Sequence, residues 1–301
     1  MRILMPIDGS TYSKAALAFI ASRSTLIKSQ PDVELLNVQY PIPSRAARYA
    51  GKELVLSYHE SEAKTVIKPA LAMLKRSGLL AHSKYVVGSP GSEVGRIAAE
   101  DAADLIVMGS HGHTGFKNLL FGSVTQAVLA CCNTPLLVLR SDAVPKKDSL
   151  KLGVALDGSK YGIAAVRFIV KHLALFGAAP SVTLIHVVPD VLNLVVPGFF
   201  GNAPVPGFKL EQVQEMQRAA FERAMAPARK LLQGTVLQVT EAQILGNNPG
   251  DAIAAYATKN KLDILAIGSH GTGALGSMLI GSVATRVAAR CRNALLFIQE
   301  K

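Results

Sequence analysis

Leu105-Ile106-Val107-Met108-Gly109-Ser110-His111-Gly112 is a short apolar run that enters a glycine-bearing loop. It returns 159 positions later as Ile264-Leu265-Ala266-Ile267-Gly268-Ser269-His270-Gly271. Downstream, Gly122-Ser123-Val124 recurs as Gly281-Ser282-Val283 at the same offset, and Pro90-Gly91 as Pro249-Gly250. Upstream, Met5-Pro6-Ile7-Asp8-Gly9-Ser10 matches Val154-Ala155-Leu156-Asp157-Gly158-Ser159 at an offset of 149. Motifs in one order at near-constant spacing mark a duplicated unit. The offset grows by ten between Val187 and Pro249, so the second copy carries an insertion of that size there. The join falls in the polar stretch Ser141–Ser149, and the expected domains are 1–143 and 150–301.

Within each copy, apolar runs alternate with helical periodicity. The first copy predicts strands over Arg2–Ile7, Val33–Val38, His82–Val87, Leu105–Met108 and Leu136–Leu139. Its helices are predicted over Ser13–Ser24, Glu53–Ser77 (stopped at Gly78), Glu93–Ala103 and Ser123–Cys131. The second copy predicts strands over Leu152–Leu156, Val182–Val187, Val236–Ile244, Ile264–Ile267 and Leu295–Ile298. Its helices are predicted over Ile163–Leu175, Leu210–Leu232, Asp251–Lys259 and Ser282–Arg290. Strand–helix alternation implies right-handed crossovers and a parallel sheet covered on both faces. The fold class is therefore α/β, two tandem doubly wound five-stranded sheets. Ligands of such sheets bind beyond the carboxyl ends of the strands, where Asp8, Val38 and Gly109 all fall.

The composition fits this reading. Of 301 residues, 50% are hydrophobic and 18% charged, enough apolar material for two cores and too much for a disordered chain. No apolar stretch reaches the ~20 residues a membrane span needs. Pro6 and Asp8 interrupt the apolar N-terminal run, which does not read as a signal peptide, so the expected compartment is the cytoplasm. The net charge of +11 is spread along the chain without a dense basic run, which argues against dedicated nucleic-acid binding and suits attraction of a phosphorylated ligand. Cys131, Cys132 and Cys291 have neither disulfide-framework nor metal-ligand spacing. Cys132 and Cys291 are equivalent in the repeat and read as small buried residues at helix ends.

The pattern Gly109-x2-Gly112-x9-Gly122-Ser123 carries the chemistry. Its glycines let a ligand approach the backbone, loop amides can converge on an anion, and Gly122-Ser123-Val124 opens a helix whose N-terminus favours negative charge. Ser123 either caps that helix or donates to a phosphate oxygen. Two such devices suit a di- or triphosphate. Asp8 can accept from ribose hydroxyls or an adenine amino group, and the Val38 backbone lies beside strand one to meet the adenine edge. Asp157, Val187, Gly268, Gly271, Gly281, Ser282 and Val283 repeat the constellation. His111 and His270 invite assignment as a general base, but no carboxylate adjoins either, and passive phosphate contact or packing is the simpler reading. The third position of His111-Gly112-His113 is Thr272 in the second copy, which speaks against a metal site.

These residues resemble the universal stress protein family, whose ATP-binding members carry Gly-x2-Gly-x9-Gly-(Ser/Thr) after strand four and an Asp closing strand one. The resemblance covers essentially the whole chain, twice. It implies the adenine nucleotide α-hydrolase-like strand order 3-2-1-4-5 and ATP as ligand, with AMP or ADP as alternatives and Mg²⁺ held through the phosphates. It also implies pairing through the fifth strands. Here the two copies would make an internal pseudo-dimer, with a homodimer as a further assembly. The expected function is a stress-response signalling or protective module with at most slow ATP hydrolysis; the alternative is a ligand-independent scaffold. The chain departs from an even repeat where Pro6 becomes Ala155, Pro135 becomes Ala294 and Lys117 becomes Gly276, and in the segment Pro189–Lys209 that holds the extra residues, which is able to cover or obstruct the second site. A P-loop, a Ser-Gly-Gly-type adenylation loop and a dinucleotide fingerprint after strand one are all absent.

Overall fold

The computed structural model describes residues 1–26, 31–112, 121–140, 144–145, 147–191, 210–269 and 280–299. In the first unit the elements run β1 (Arg2–Pro6), α1 (Thr11–Ala21), β2 (Asp32–Gln39), α2 (Ser44–Ala50), α3 (Lys52–Arg76), β3 (Ala81–Val87), α4 (Pro90–Glu100), β4 (Leu105–Gly109), α5 (Ser123–Cys131) and β5 (Leu136–Leu139). The second unit repeats them as β6 (Lys151–Ala155), α6 (Lys160–Lys171), α7 (Leu173–Phe176), β7 (Ser181–Val188), α8 (Leu210–Leu232), β8 (Gln238–Leu245), α9 (Pro249–Lys259), β9 (Ile264–Gly268), α10 (Ser282–Arg290) and β10 (Ala294–Ile298).

All ten strands form one sheet, ordered β3-β2-β1-β4-β5-β10-β9-β6-β7-β8. Each half has the order 3-2-1-4-5 and is parallel. The halves meet antiparallel, with Leu295, Leu296 and Phe297 opposite Val138, Leu137 and Leu136. Every residue of β4, β5 and β10 is buried, as strands covered on both faces must be. One apolar core holds Ile3, Phe19, Leu137, Phe168 and Leu296, and the other holds Ile106, Val128, Leu265 and Phe297. Both cores therefore run across the junction. Arg140 Nη2 donates to the Ala288 carbonyl (2.9 Å) and Gln299 Nε2 to that of Leu129 (2.8 Å). Both donors and both acceptors are equivalent in the repeat, so the seam has approximate two-fold symmetry.

Local chemistry moves several boundaries from expectation. The helix expected over Glu93–Ala103 starts at Pro90, which suits a first helical turn, and ends at Glu100. There Ala102 takes φ 48° and the Ala103 amide donates to the Ala98 carbonyl. Lys261 (φ 53°) and Leu262 close α9 in the same way. The helix expected over Ile163–Leu175 breaks at His172, which leaves the helical region (φ −120°, ψ 36°), and resumes as α7. The helix α2 was not foreseen, because none of its residues is buried and it shows no apolar stripe. The strand expected from Val236 begins at Gln238, Val236 being exposed. Gly78 stops α3 as expected, at φ +80°, with the Leu79 amide on the Leu74 carbonyl.

Candidate functional site

At the carboxyl end of β1 the chain turns sharply. Asp8 Oδ1 accepts from the Ser10 amide (3.0 Å), Gly9 takes φ 83°, and Ser10 Oγ caps α1 through the Ser13 amide. Asp157, Gly158 and Ser159 build the same turn before α6 (Asp157 Oδ1 to Ser159 N, 2.9 Å). Both aspartates thus have a structural task, which keeps the carboxylate at the sheet edge.

The glycine loop is pinned at both ends. The Ser110 amide donates to the Leu139 carbonyl, and the Gly122 amide returns to the Ser110 carbonyl (2.8 Å). In the second unit the Ser269 amide donates to Ile298 O (2.9 Å) and the Gly281 amide to Ser269 O (2.7 Å). Close approach explains the glycines of the first loop. A Cβ on Gly109 would fall 2.5 Å from the Tyr12 carbonyl carbon, one on Gly112 would fall 2.8 Å from Asp8 Oδ2, and one on Gly122 would fall 3.2 Å from His111 Cα. The structure thereby gathers Asp8, Gly109, His111, Gly112 and Gly122. The His111 ring is buried against Tyr12 (centroids 5.2 Å apart), with Nδ1 3.1 Å from Ser110 Oγ.

Gly122 and Gly281 are the N-cap residues of α5 and α10, and neither makes a side-chain cap. Ser123 and Ser282 therefore occupy the first helical position and do not cap, unlike the capping role considered for Ser123. The first-turn amides have no acceptor within the helix, an anion-binding arrangement. Val38 and Val187 lie in β2 and β7, half-buried against the core on the α4/α9 face of the sheet.

In the second unit this edge opens into a cavity of about 500 Å³, within the range of small-molecule sites. Asp157, Val187, Gly268, Gly281, Ser282 and Val283 line it, together with His186. His270 and Gly271 lie outside the described residues, as do His113, Lys117, Thr272, Gly276 and positions 192–209 of the insertion. Among the described residues no group of three or more His, Cys, Asp or Glu side chains could hold a metal ion. No described helix is long and apolar enough to cross a membrane.

Sequence reasoning missed four contributing residues. Tyr12 wedges between β4 and the loop. Gly91 and Gly250 let α4 meet α5 and α9 meet α10: a Cβ on each would fall 2.3 Å from Ala127 Cβ and 2.7 Å from Arg286 Cβ. Their recurrence was visible but its purpose was not. His186 was readable only as a polar residue inside an apolar strand, where the first unit has Asn37. Cys132 and Cys291 are buried C-cap residues of α5 and α10. Burial pushes the Cys291 thiol pKa up against the smaller opposing effects of Asn293 and Arg140, which favours packing over redox chemistry.

The model of the Universal stress protein family matches residues 1–140 and 150–299. A universal stress protein of Mycolicibacterium smegmatis is 23% identical over 99% of this chain and 97% of its own length. One from Methanocaldococcus jannaschii is 32% identical over 46% of this chain and 94% of its own. The crystal structure of a universal stress protein from Archaeoglobus fulgidus superposes with a TM-score of 0.69 at 21% identity, covering 100% of this chain and 98% of that one, a likeness of fold.

Proposed function

The chain belongs to the universal stress protein family and carries its domain twice; on that premise we propose that it binds adenine nucleotides, ATP foremost, at the carboxyl edge of each half-sheet, as a stress-response signalling or protective module. The observation that carries this reading is the cavity of about 500 Å³ on which a strand-end carboxylate (Asp157), a strand-two backbone (Val187) and a glycine-capped helix N-terminus (Gly281, Ser282, Val283) converge. Phosphates belong at α10, where amides and helix dipole favour negative charge. Asp157 is a hydrogen-bond acceptor suited to ribose hydroxyls. Asp8, Val38, Gly109, His111, Gly112, Gly122, Ser123 and Val124 supply the equivalent first site, and the second extends to Gly268, His270 and Gly271. Mg²⁺ would be carried by the phosphates. On this reading hydrolysis is at most slow.

The test is the nucleotide content of the purified chain, measured by acid release and ion-exchange chromatography, followed by calorimetric titration with ATP. Two nucleotides per chain, each lost singly in Asp8→Ala and Asp157→Ala, is the expected result. No nucleotide and no heat at millimolar ATP would sink the proposal. A partner-docking role has an observation of its own: Tyr49, Leu54 and Tyr58 project from α2 and α3, Tyr49 with 95% of its surface exposed.

A further inference from the structure

The two units differ in charge at the phosphate end. The first carries Lys117 between Gly112 and Gly122, and the second has Gly276 at that position. The second unit gains charges instead on the two helices that flank its cavity. Asp251 in α9, with Arg286 and Arg290 in α10, stand where the first unit has Ser92, Ala127 and Cys131. Arg286 Nε and Nη2 both donate to Asp251 Oδ2 (3.0 and 2.8 Å). Arg290 Nε lies 3.5 Å from Asp251 Oδ1, an oxygen that accepts no hydrogen bond among the described residues.

Helix geometry sets this ion pair at the rim of the cavity. Asp251 lies in the first turn of α9, between Pro249 and Ile253, which both line the cavity. Ser282 and Val283, four and three residues before Arg286, line it from α10 and are its neighbours on the helix surface. A helical side chain leans toward the N-terminus and covers the turn before it, so Arg286 rises along α10 toward the uncapped first turn. Its stem is fixed against Gly250, where a Cβ would fall 2.7 Å from Arg286 Cβ and 3.0 Å from its Cγ. Its guanidinium is not fixed, because both members of the pair are open to solvent, and an exposed ion pair contributes little. A phosphate takes the guanidinium fork as a carboxylate does, so it can displace Asp251, and Arg290 stands ready for the carboxylate that is released. Resting on the adenine-nucleotide reading above, we propose that Arg286 is the polyphosphate-reading residue of the second site: when ATP binds, Arg286 leaves Asp251 for the terminal phosphates. AMP, whose single phosphate is held by the loop and helix amides, offers it nothing to take. Arg286 thus separates triphosphate from monophosphate and returns to the second site the cation that Gly276 removes.

The experiment titrates the full chain calorimetrically with ATP and with AMP, unaltered and as Arg286→Gln, Arg286→Lys and Asp251→Asn. A charge-assisted bond to phosphate, less the ion pair given up for it, amounts to about tenfold in affinity. Arg286→Gln should therefore weaken ATP about tenfold at one of two sites and leave AMP unchanged, and Arg286→Lys, which keeps the charge, should recover part of the loss. Asp251→Asn removes the competing carboxylate and should tighten ATP at that site about twofold to fivefold. A pair that only tied α9 to α10 would be broken alike by either change, so effects of opposite sign distinguish a phosphate contact from a structural tie. ATP binding unmoved by Arg286→Gln, equal losses of ATP and AMP, or weaker ATP binding in both Arg286→Gln and Asp251→Asn would overturn the inference and leave the nucleotide-binding proposal standing. No binding of either nucleotide to the unaltered chain would overturn both.

Discussion

Replacing Gly109 by Ala should damage both the fold and the first site, and the size of the effect follows from one distance. An ideal Cβ at this position lies 2.5 Å from the carbonyl carbon and Cβ of Tyr12 and 2.7 Å from its carbonyl oxygen, against the 3.4–4 Å of ordinary contact. The obstacle is the backbone of the first turn of α1, which cannot rotate aside. Relief requires α1 to lift from β4, and overpacking of that kind costs about 1–3 kcal/mol. The unfolded chain loses entropy on Gly→Ala, returning about 0.4–1 kcal/mol, so the net destabilisation is roughly 1–2 kcal/mol.

Gly95, inside α4, is the control, because a Cβ there meets its nearest atoms at 3.8 and 3.9 Å. Gly95→Ala should stabilise by about 0.5–1 kcal/mol through helix propensity alone. The same chemical change at two sites thus differs by about 2 kcal/mol in urea denaturation. Tyr12 also stacks on His111, so lifting α1 should take ATP stoichiometry in Gly109→Ala from two towards one while Gly95→Ala keeps both. Equal stabilities for the two variants would refute the claim that Gly109 is required by close approach.

Truncation at the seam should be costly: Leu296 is 1% exposed and pairs with Leu137 across the units, so Leu296→Ala should lose about 2–5 kcal/mol in urea denaturation. Arg23 is fully buried, stacked on Phe19, and among the described residues its Nη1 and Nη2 have no hydrogen-bond partner. Burial lowers its pKa against the smaller opposing pull of Asp148 and Asp263, so Arg23→Met should raise stability by about 1–2 kcal/mol, read as a higher melting temperature. His172 has its pKa lowered from 6.5, by burial first and Lys171 second, with Asp104 opposing. The unfolded chain then binds this proton more readily, so the stability it contributes is complete above pH 6.5 and is lost as pH falls below that value. The melting temperature should decline on acidification across that range, and less steeply in His172→Gln.

The strand-to-loop architecture was legible because two independent signals coincide in it. An apolar run long enough for one strand ends at a glycine, and both features return after a constant interval. The packing reason for Gly109 was not legible, since it depends on Tyr12, nearly a hundred residues away in sequence. Ser123 shows a subtler limit: Gly-Ser before an apolar stretch fits a serine cap, but the backbone turns into the helix one residue earlier, leaving Gly122 as the cap. The short helix α2 escaped because periodicity registers burial, and α2 buries nothing. The pairing of β5 with β10 came from family resemblance, since four apolar residues show that a strand is covered without saying by what.

The comparison of Asn37 with His186 bears on why two such units would share a chain. The antiparallel seam, with Arg140 and Gln299 making equivalent bonds to Ala288 and Leu129, is the contact expected of a two-fold dimer. In a homodimer every substitution appears at both sites, so neither site can acquire a property without its partner acquiring it too. Covalent linkage removes that constraint while keeping the halves at high effective concentration. Divergence is visible in the seam itself, where arginine on one side faces the role that glutamine fills on the other. It extends to the second strand, where Asn37, bonded to the Ile7 carbonyl, corresponds to His186, bonded to that of Leu156. The shared cores and the common sheet demand that backbone and apolar residues stay alike; the polar positions at the sheet edge carry no such demand. Fusion therefore confines divergence to the places where a ligand would register it.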